Sequence, residues 1–279
     1  MNINLDRKFK PIDGEEIQFE SFTFSGGEPH IKISPDFDHS KKITITHRLN
    51  SFNDVGLLCL AVDALRRMGA EISDLVIPYF PSARQDRVMI KGEPLSVKVY
   101  ADIINNLNFK KVIIFDAHSE VAPALLNNCQ PASNHKFIEQ VIKKLDDNVL
   151  LISPDGGALK KIYKLSEYLG GRAVVECSKS RDVKTGVLKG FKVYADDLQG
   201  KDCLIVDDIC DGGGTFSGLA EELKSKNPGK LYLAVSHGIF SKGFEALEKY
   251  FDKIFTTNSF REVNHKCLTQ INLNNGLLS

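Results

Sequence analysis

The stretch LIVDDICDGGGTF at residues 204–216 decides the fold class of this chain. Its apolar first half predicts a strand buried on both faces, and three glycines then precede a segment of helical period. Segments with the same helical period lie at residues 54–68, which Gly69 ends, and at residues 96–107. Similar apolar runs occur at residues 43–46, 74–80, 111–116, 149–153, 173–176, 231–236 and 253–257. Strands that alternate with helices predict parallel sheets of the α/β class, with ligands at the carboxyl ends of the strands.

The length of the chain favours two domains. Its 279 residues suffice for two units of about 140 residues, each with its own core. The polar stretch NNCQPASNHK at residues 127–136 is the least periodic segment near the middle. The sequence therefore predicts one domain over residues 1–133 and a second over residues 134–279.

Charge and hydropathy exclude several classes of function. Lysine plus arginine and aspartate plus glutamate both number 36, and no block of like charge indicates a nucleic-acid or membrane partner. The N-terminal MNINLDRKFKPIDGEE lacks the apolar centre of a signal peptide, and no run approaches the roughly 18 apolar residues of a membrane span. These features predict a cytoplasmic protein. The six cysteines show no CxxC spacing, so neither a disulfide framework nor a zinc site is expected.

The motif at residues 204–216 also carries chemistry. Adjacent carboxylates at a strand end, Asp207 and Asp208, can accept hydrogen bonds from the vicinal hydroxyls of a ribose. Glycines leave backbone N–H groups open to a phosphate, and a threonine adds a hydroxyl at the helix N-terminus. The spacing is neither GxxxxGK[ST] nor GxGxxG. An ordinary glycine-rich turn is the alternative interpretation. The residues predicted to hold the phosphate are Asp211, Gly212, Gly213, Gly214 and Thr215.

The loop resembles the ribose-phosphate loop of the type I phosphoribosyltransferase fold. Further segments, in order and with similar spacing, resemble the ribose-phosphate pyrophosphokinase family: FNDVGLLCLAVDALRRMGA, VIPYFPSARQDR, EPLSVKVYADII, IIFDAHS, ISPDGGALKK and VSHGIFSKGFEAL. The resemblance runs from about Phe24 to Asn258. It implies an α/β fold of two phosphoribosyltransferase-like domains, each a mainly parallel sheet flanked by helices.

The resemblance also implies a reaction. Members of this family transfer the β,γ-diphosphoryl group of ATP, with Mg²⁺, to the 1-hydroxyl of ribose 5-phosphate, which gives 5-phosphoribosyl 1-diphosphate and AMP. They assemble as dimers and hexamers, so a homo-oligomer is expected here. By the same resemblance, Arg84 and Gln85 bind ATP, His118 contacts the Mg²⁺ of MgATP, and Phe24 and Glu28 contact adenine across a subunit interface.

The second half of the chain carries the remaining implied roles. Asp155 matches the second metal-binding position of the family. Lys179 and Arg181 resemble a basic pair on a mobile catalytic loop, where they neutralise the transferring group. Asp207 and Asp208 are counted with them as catalytic residues because they hold the reacting sugar.

Three alternatives stay open at the level of sequence. The family usually carries DTGGT in the phosphate loop, and Gly212 in place of the threonine leaves space for a bulkier acceptor such as ADP-ribose. A phosphoribosyltransferase that consumes the diphosphate would also fit the loop, although ARQDR and DAHS indicate a nucleotide site that such an enzyme does not need. A non-catalytic regulatory subunit of such a synthetase is the third alternative.

Overall fold

The computed structural model describes residues 1–146, 148–181 and 188–279, without the side chains of residues 180, 181, 188 and 189. The chain divides into two compact units. Unit 1 comprises Met1–Ser133 and Asn272–Ser279, and unit 2 comprises Asn134–Ile271. The C-terminal segment was expected in the second domain, but its residues Leu273 and Leu277 are buried in unit 1.

Unit 1, all of which is described, is built on a parallel five-stranded sheet. Its elements, in chain order, are β1 (Asn2–Asn4), β2 (Phe19–Thr23), β3 (Pro29–Ile33), β4 (Ile43–Thr46), α1 (Phe52–Arg67), β5 (Ile72–Ile77), α2 (Ser96–Asn106), β6 (Lys111–Phe115), α3 (Val121–Leu125) and β7 (Cys129–Ala132). The strand order is β1-β4-β5-β6-β7, and β2 and β3 form a separate antiparallel hairpin.

Helix α1 shows how local sequence fixes an element of unit 1. Ser51 caps it, because its side chain accepts a hydrogen bond from the Asp54 N–H while the Asp54 carboxylate accepts one from the Ser51 N–H. Such a capping box contributes about 1 kcal/mol to helix stability. The buried face of α1 carries Val55, Leu58, Ala61, Val62 and Leu65, which pack into the core of unit 1.

The described residues of unit 2 form a seven-stranded sheet flanked by helices. Its elements are α4 (His135–Ile142), β8 (Leu150–Ser153), α5 (Leu159–Tyr168), β9 (Val174–Arg181), β10 (Leu188–Val193), β11 (Cys203–Cys210), α6 (Gly214–Lys224), β12 (Leu231–Gly238), α7 (Glu245–Glu248), β13 (Lys253–Thr257) and β14 (Leu268–Ile271). The strand order is β10-β9-β8-β11-β12-β13-β14, and β10 alone pairs antiparallel with its neighbour.

Two predicted features differ from the structure in ways that affect function. Strand β11 continues to Cys210, so Asp207 and Asp208 lie inside the strand rather than at its end. The segment at residues 127–136, predicted to be irregular, contains β7 and the start of α4. The two units nevertheless separate within it, between residues 133 and 134. Among the described residues, no helix is long and apolar enough to cross a membrane.

Candidate functional site

Two carboxylates of unit 2 lie side by side on β11. Asp208 is 8% exposed, Asp207 is partly buried, and the Asp208 N–H donates a 2.9 Å hydrogen bond to Oδ1 of Asp207. Burial raises the pKa of the Asp207 carboxyl well above its usual range, and the negative charges of Asp208 and Asp155 raise it further. The carboxylates therefore repel one another, and a bound cation or a hydroxyl donor would reduce that repulsion.

A third carboxylate and an ammonium group complete this cluster. Asp155 follows β8, and its Oδ1 accepts hydrogen bonds from the N–H groups of Gly157 (2.8 Å) and Ala158 (3.1 Å). Its Oδ2 forms an ion pair with Nζ of Lys179. Strand β9 carries Lys179 and neighbours β8, which explains why residues 24 positions apart in sequence meet. The cluster thus joins the predicted metal ligand to a predicted catalytic lysine.

The position of Lys179 corrects one expectation. This residue was predicted to lie on a mobile loop, but it lies within β9, where it pairs in register with Phe191 of β10. Its side chain is 26% exposed. Arg181 ends the same strand, and its side chain lies outside the described residues, as do residues 182–187 that follow it.

The glycine loop that follows β11 is shaped by close packing. Gly213 has a φ of +77° just before α6, and a Cβ there would lie 3.0 Å from Cδ2 of Leu247, so glycine is required. Asp211 accepts a 2.6 Å hydrogen bond from the Ser241 hydroxyl at its Oδ1 and a 3.0 Å bond from the Ser241 N–H at its carbonyl. The loop is therefore held between α7 and the segment that follows β12.

The stem of Lys242 lies on the side of Gly212 where a side chain would project, and the expectation that this glycine leaves room for a bulkier acceptor stays a prediction. A Cβ at Gly212 would lie 3.2 Å from Cδ and 3.4 Å from Cε of Lys242. Lys242 is exposed, and no ion pair joins it to another described residue. Sequence analysis missed Lys242, because only the packing of its stem against Gly212 brings it to the loop.

The composition of the unit 2 cluster suits a divalent cation. Asp155, Asp207 and Asp208 supply carboxylate oxygens, the ligands that Mg²⁺ prefers. Lys179 pairs with Asp155, while burial first, and then the negative charges of Asp208 and Asp155, raise the pKa of the Asp207 carboxyl. The oxygen ligands that Mg²⁺ prefers are therefore present at the metal site implied by the resemblance, although the three aspartates do not form a group of ligand atoms within 4.8 Å of one another.

Unit 1 contains a cavity of about 550 Å³ at the carboxyl ends of β5 and β6. Its lining residues are Arg84, Gln85, Asp86, Arg87, Met89, Glu93, Pro94, Ser96 and His118. The structure thus brings together three of the residues predicted to bind ATP. Two of them, Arg84 and Gln85, are exposed on the loop between β5 and α2, whereas His118 follows β6 and is partly buried.

Asp86 anchors the cavity wall. It is 8% exposed and accepts a 3.1 Å hydrogen bond from Nε of Arg87. Burial favours a higher pKa for Asp86, but hydrogen bonds from Ser119 and Arg87 and the nearby His118 together lower it. The turn that leads to His118 is also constrained, because Asp116 has a φ of +40°. Both features fix the backbone around the side chains that face the cavity.

Phe24 and Glu28 lie elsewhere in unit 1. They occupy the tip of the β2–β3 hairpin, where the Phe24 N–H donates a 2.9 Å hydrogen bond to the Glu28 carbonyl. Phe24 is 52% exposed and packs edge-on against Phe22, with ring centroids 4.9 Å apart. Neither residue lines the cavity. Their predicted contact with adenine stays a prediction.

Comparison with known proteins agrees with this architecture. Two family models match the chain: the N-terminal domain of ribose phosphate pyrophosphokinase over residues 11–107, and the phosphoribosyl transferase domain over residues 131–267. Among solved structures, that of phosphoribosylpyrophosphate synthetase from Mycobacterium smegmatis superposes with a TM-score of 0.81, 20% identity, and coverage of 98% of this chain and 94% of that one. The predicted α/β fold with two phosphoribosyltransferase-type domains is therefore confirmed.

Curated relatives name the family. A ribose-phosphate pyrophosphokinase of Thermococcus kodakarensis is 32% identical over 250 residues, which cover 87% of this chain and 86% of the relative. One of Pyrococcus furiosus is 31% identical over 254 residues, 89% of this chain and 87% of the relative. The predicted resemblance is thereby confirmed, and these matches do not favour a base-transferring phosphoribosyltransferase. The chain belongs to the ribose-phosphate pyrophosphokinase family.

Proposed function

We propose that this protein transfers the β,γ-diphosphoryl group of MgATP to the 1-hydroxyl of ribose 5-phosphate, releasing AMP and 5-phosphoribosyl 1-diphosphate. The observation that carries the proposal is the cluster of Asp155, Lys179, Asp207 and Asp208 beside the glycine loop of unit 2. This set combines acceptors for sugar hydroxyls, a cradle for a phosphate and a cation for the transferring group. Membership of the family supports the same reaction.

The acceptor binds through two groups of residues. Asp207 and Asp208 accept hydrogen bonds from the ribose 2- and 3-hydroxyls, which relieves the repulsion that raises the pKa of Asp207. The N–H groups of residues 211–215 surround the 5-phosphate at the N-terminus of α6, where the helix dipole also favours an anion. The two groups of residues therefore bind different parts of the acceptor.

The donor binds in the cavity of unit 1. Arg84 can contact triphosphate oxygens bidentately, and Gln85 adds an amide beside it. His118 would share in holding the Mg²⁺ of MgATP, and Asp155 would hold a second ion near the sugar. Bound Mg²⁺ would neutralise charge on the phosphates and on the attacking oxygen.

The chemistry requires alignment and positive charge rather than a covalent enzyme intermediate. The 1-hydroxyl oxygen forms a bond to the β-phosphorus while the bond from that phosphorus to the α,β-bridging oxygen breaks, and AMP leaves with that oxygen. Lys179 contributes a positive charge near the transferring group, because its strand position and its ion pair with Asp155 hold it at the site. Arg181 is the proposed second cation.

We assign Lys242 a role in binding the acceptor. Its methylene groups pass within contact distance of the Cβ position of Gly212, and its flexible stem allows the ammonium group to reach a phosphate in the loop. Replacing Lys242 with alanine should raise the KM for ribose 5-phosphate about tenfold, since a hydrogen bond to a charged group contributes about 1.5–3 kcal/mol. Lys253, exposed at the start of β13, is the matched control, and an unchanged KM in the Lys242→Ala variant would remove this assignment.

The reaction is tested by incubating the protein with MgATP and either ribose 5-phosphate or ADP-ribose, and identifying the products by mass. AMP and a diphosphorylated ribose 5-phosphate are expected in equal amounts. AMP formed with ADP-ribose alone would keep the reaction and change the acceptor. The absence of AMP with either acceptor would favour a regulatory subunit and overturn the proposal.

An oligomer is also part of the proposal. The hairpin tip with Phe22 and Phe24 exposes two aromatic rings, 50% and 52% accessible, which is consistent with burial against a second copy of the chain. Light scattering coupled to size exclusion should give a mass of at least twice 31.0 kDa. A charged substitution at Phe22 should shift the protein toward the monomer.

A further inference from the structure

A cluster of three chemically different side chains lies in unit 2 and includes none of the loop residues and carboxylates described above. Glu248 ends α7, while His265 and Cys267 lie in the segment that leads into β14. One ligand atom from each lies within 4.8 Å of the others, and all three residues are partly buried. The cluster offers a carboxylate oxygen, an imidazole nitrogen and a sulfur to a common point.

The separations of these atoms match those of ligands around one tetrahedral metal ion. Nδ1 of His265 lies 3.2 Å from Sγ of Cys267 and 3.4 Å from Oε1 of Glu248. With Zn–S near 2.3 Å and Zn–N and Zn–O near 2.0–2.1 Å, tetrahedral angles place N and S about 3.5 Å apart and N and O about 3.3 Å apart. Small shifts of the side chains would therefore suffice to bind an ion.

One oxygen of the Glu248 carboxylate lacks a hydrogen bond from the described residues, although the side chains of Cys267 and His265 lie close to this carboxylate. Oε1 of Glu248 is buried, and no hydrogen bond to it is formed by the described residues. The ammonium of Lys266 is 3.6 Å away but belongs to a side chain that is 81% exposed, so it can move aside. A buried acceptor without a donor costs free energy, and a cation at the centre of the cluster would recover it.

We propose that Glu248, His265 and Cys267 bind a Zn²⁺-class transition-metal ion, with the fourth position open to water. Sulfur and imidazole ligands select such an ion over Mg²⁺, which prefers oxygen. The cysteine spacing did not predict this site because the ligands come from a helix and a distant segment rather than from a CxxC pair.

A metal ion at this site would link α7 to the segment that precedes β14. Glu248 is adjacent to Leu247, whose side chain occupies the space that a Cβ at Gly213 of the glycine loop would need. His265 also stacks on Phe244, with ring centroids 4.3 Å apart and an interplanar angle of 15°. A bound ion would thus tie the irregular segment before β14 to α7, and through Leu247 would brace the loop.

The test is a Co²⁺ titration of the full chain, produced without a histidine tag and with Mg²⁺ in excess to fill oxygen-rich sites. One equivalent of Co²⁺ should give visible bands of tetrahedral intensity and a near-ultraviolet band from sulfur-to-cobalt charge transfer, and Zn²⁺ should displace both. The Cys267→Ser variant should lose the charge-transfer band and bind Zn²⁺ at least about 100-fold more weakly, because even second-shell changes cost 10–100-fold.

Cys59→Ser is the matched control, since Cys59 is also a partly buried free cysteine but lies on α1 in unit 1. It should keep both the bands and the affinity. Glu248→Gln, which preserves shape, should weaken Zn²⁺ binding and provides a second variant if Cys267→Ser does not fold. Absence of the charge-transfer band in the parent protein, or its persistence in Cys267→Ser, would overturn the proposal. These readouts do not depend on diphosphoryl transfer.

Discussion

The candidate sites of the two units are constructed differently. In unit 1, Arg84 and Gln85 are exposed on a loop between a strand and a helix. In unit 2, Lys179 lies on β9 and both Asp207 and Asp208 lie on β11, and pairing with neighbouring strands holds these strands in place. A loop can adjust to a nucleotide, whereas strands hold groups where charge develops in a transition state. We therefore expect changes to the loop residues of unit 1 to act mainly on the KM for ATP, and changes to the strand residues of unit 2 to act mainly on kcat.

The largest expected effect follows from removing the positive charge of Lys179 on β9. The Lys179→Ala variant should lower kcat by about 10²- to 10³-fold, the typical loss when one preorganised stabilising group is removed. The KM for ATP should change little. Steady-state kinetics on Lys192→Ala provide the control, because Lys192 is an exposed lysine on the neighbouring β10. Equal losses in both variants would argue against a specific role for Lys179.

A smaller effect, on binding, is expected in unit 1. Replacing Arg84 with alanine should raise the KM for ATP by about 10- to 100-fold, since charge-assisted hydrogen bonds contribute about 1.5–3 kcal/mol. The value of kcat should stay within a few-fold. Arg67→Ala is a suitable control because Arg67 is exposed and pairs only with Asp63 in its own helix. A fall in kcat without a rise in KM would contradict the contrast between the two units.

The charge repulsion in unit 2 predicts a trade-off between stability and activity. The pKa of Asp207 in the folded state is raised above the ordinary value of 3.8. Above pH 3.8 the folded state therefore binds more protons than the unfolded state, and the protein loses stability as the pH rises from 3.8 toward the folded pKa. The Asp207→Asn variant should therefore lose activity but gain about 0.5–2 kcal/mol in unfolding free energy at pH 7. Urea unfolding at pH 7 and at pH 4 measures this, and the gain should shrink at the lower pH.

The smallest expected effect concerns His47 in unit 1. It is 3% exposed, and neither ring nitrogen has a hydrogen-bond partner. Burial lowers its pKa below 6.5, although the charges of Asp54 and Asp6 oppose this. The unfolded state then binds the proton more readily, so stability is full above pH 6.5 and falls as pH decreases below it. The His47→Leu variant should flatten that dependence in urea unfolding, whereas His30→Gln, on the exposed hairpin, should not.

The sequence predicted those elements that are continuous apolar runs. The strands at residues 43–46 and 253–257 coincide with β4 and β13, because runs of Ile, Phe and Thr that are largely buried leave little ambiguity. The short strands β1, β7 and β14 were missed, since their sequences NIN, CQPA and LTQI include polar residues or proline and are not continuous apolar runs. Strand β11 extends beyond its prediction because Ile209 and Cys210 continue its pairing with β12.

The sequence predicted which residues belong to the candidate site, but it did not predict how these residues contact one another. Asp155 and Lys179 were each identified, but their ion pair depends on the adjacency of β8 and β9, which no local pattern reveals. Lys242 was missed because its stem reaches Gly212 only through the fold of the segment after β12. The Glu248, His265 and Cys267 cluster likewise exists only in three dimensions.

Tracing the phosphorus atoms of ATP tests diphosphoryl transfer most directly. The protein is incubated with Mg²⁺, ribose 5-phosphate and ATP labelled at the β-phosphorus, and the labelled products are separated and identified by mass. Attack at the β-phosphorus requires the label to appear in the sugar product while AMP is released without it. Label retained in ADP, or recovered in free diphosphate with no labelled sugar, would contradict the proposed transfer to the 1-hydroxyl.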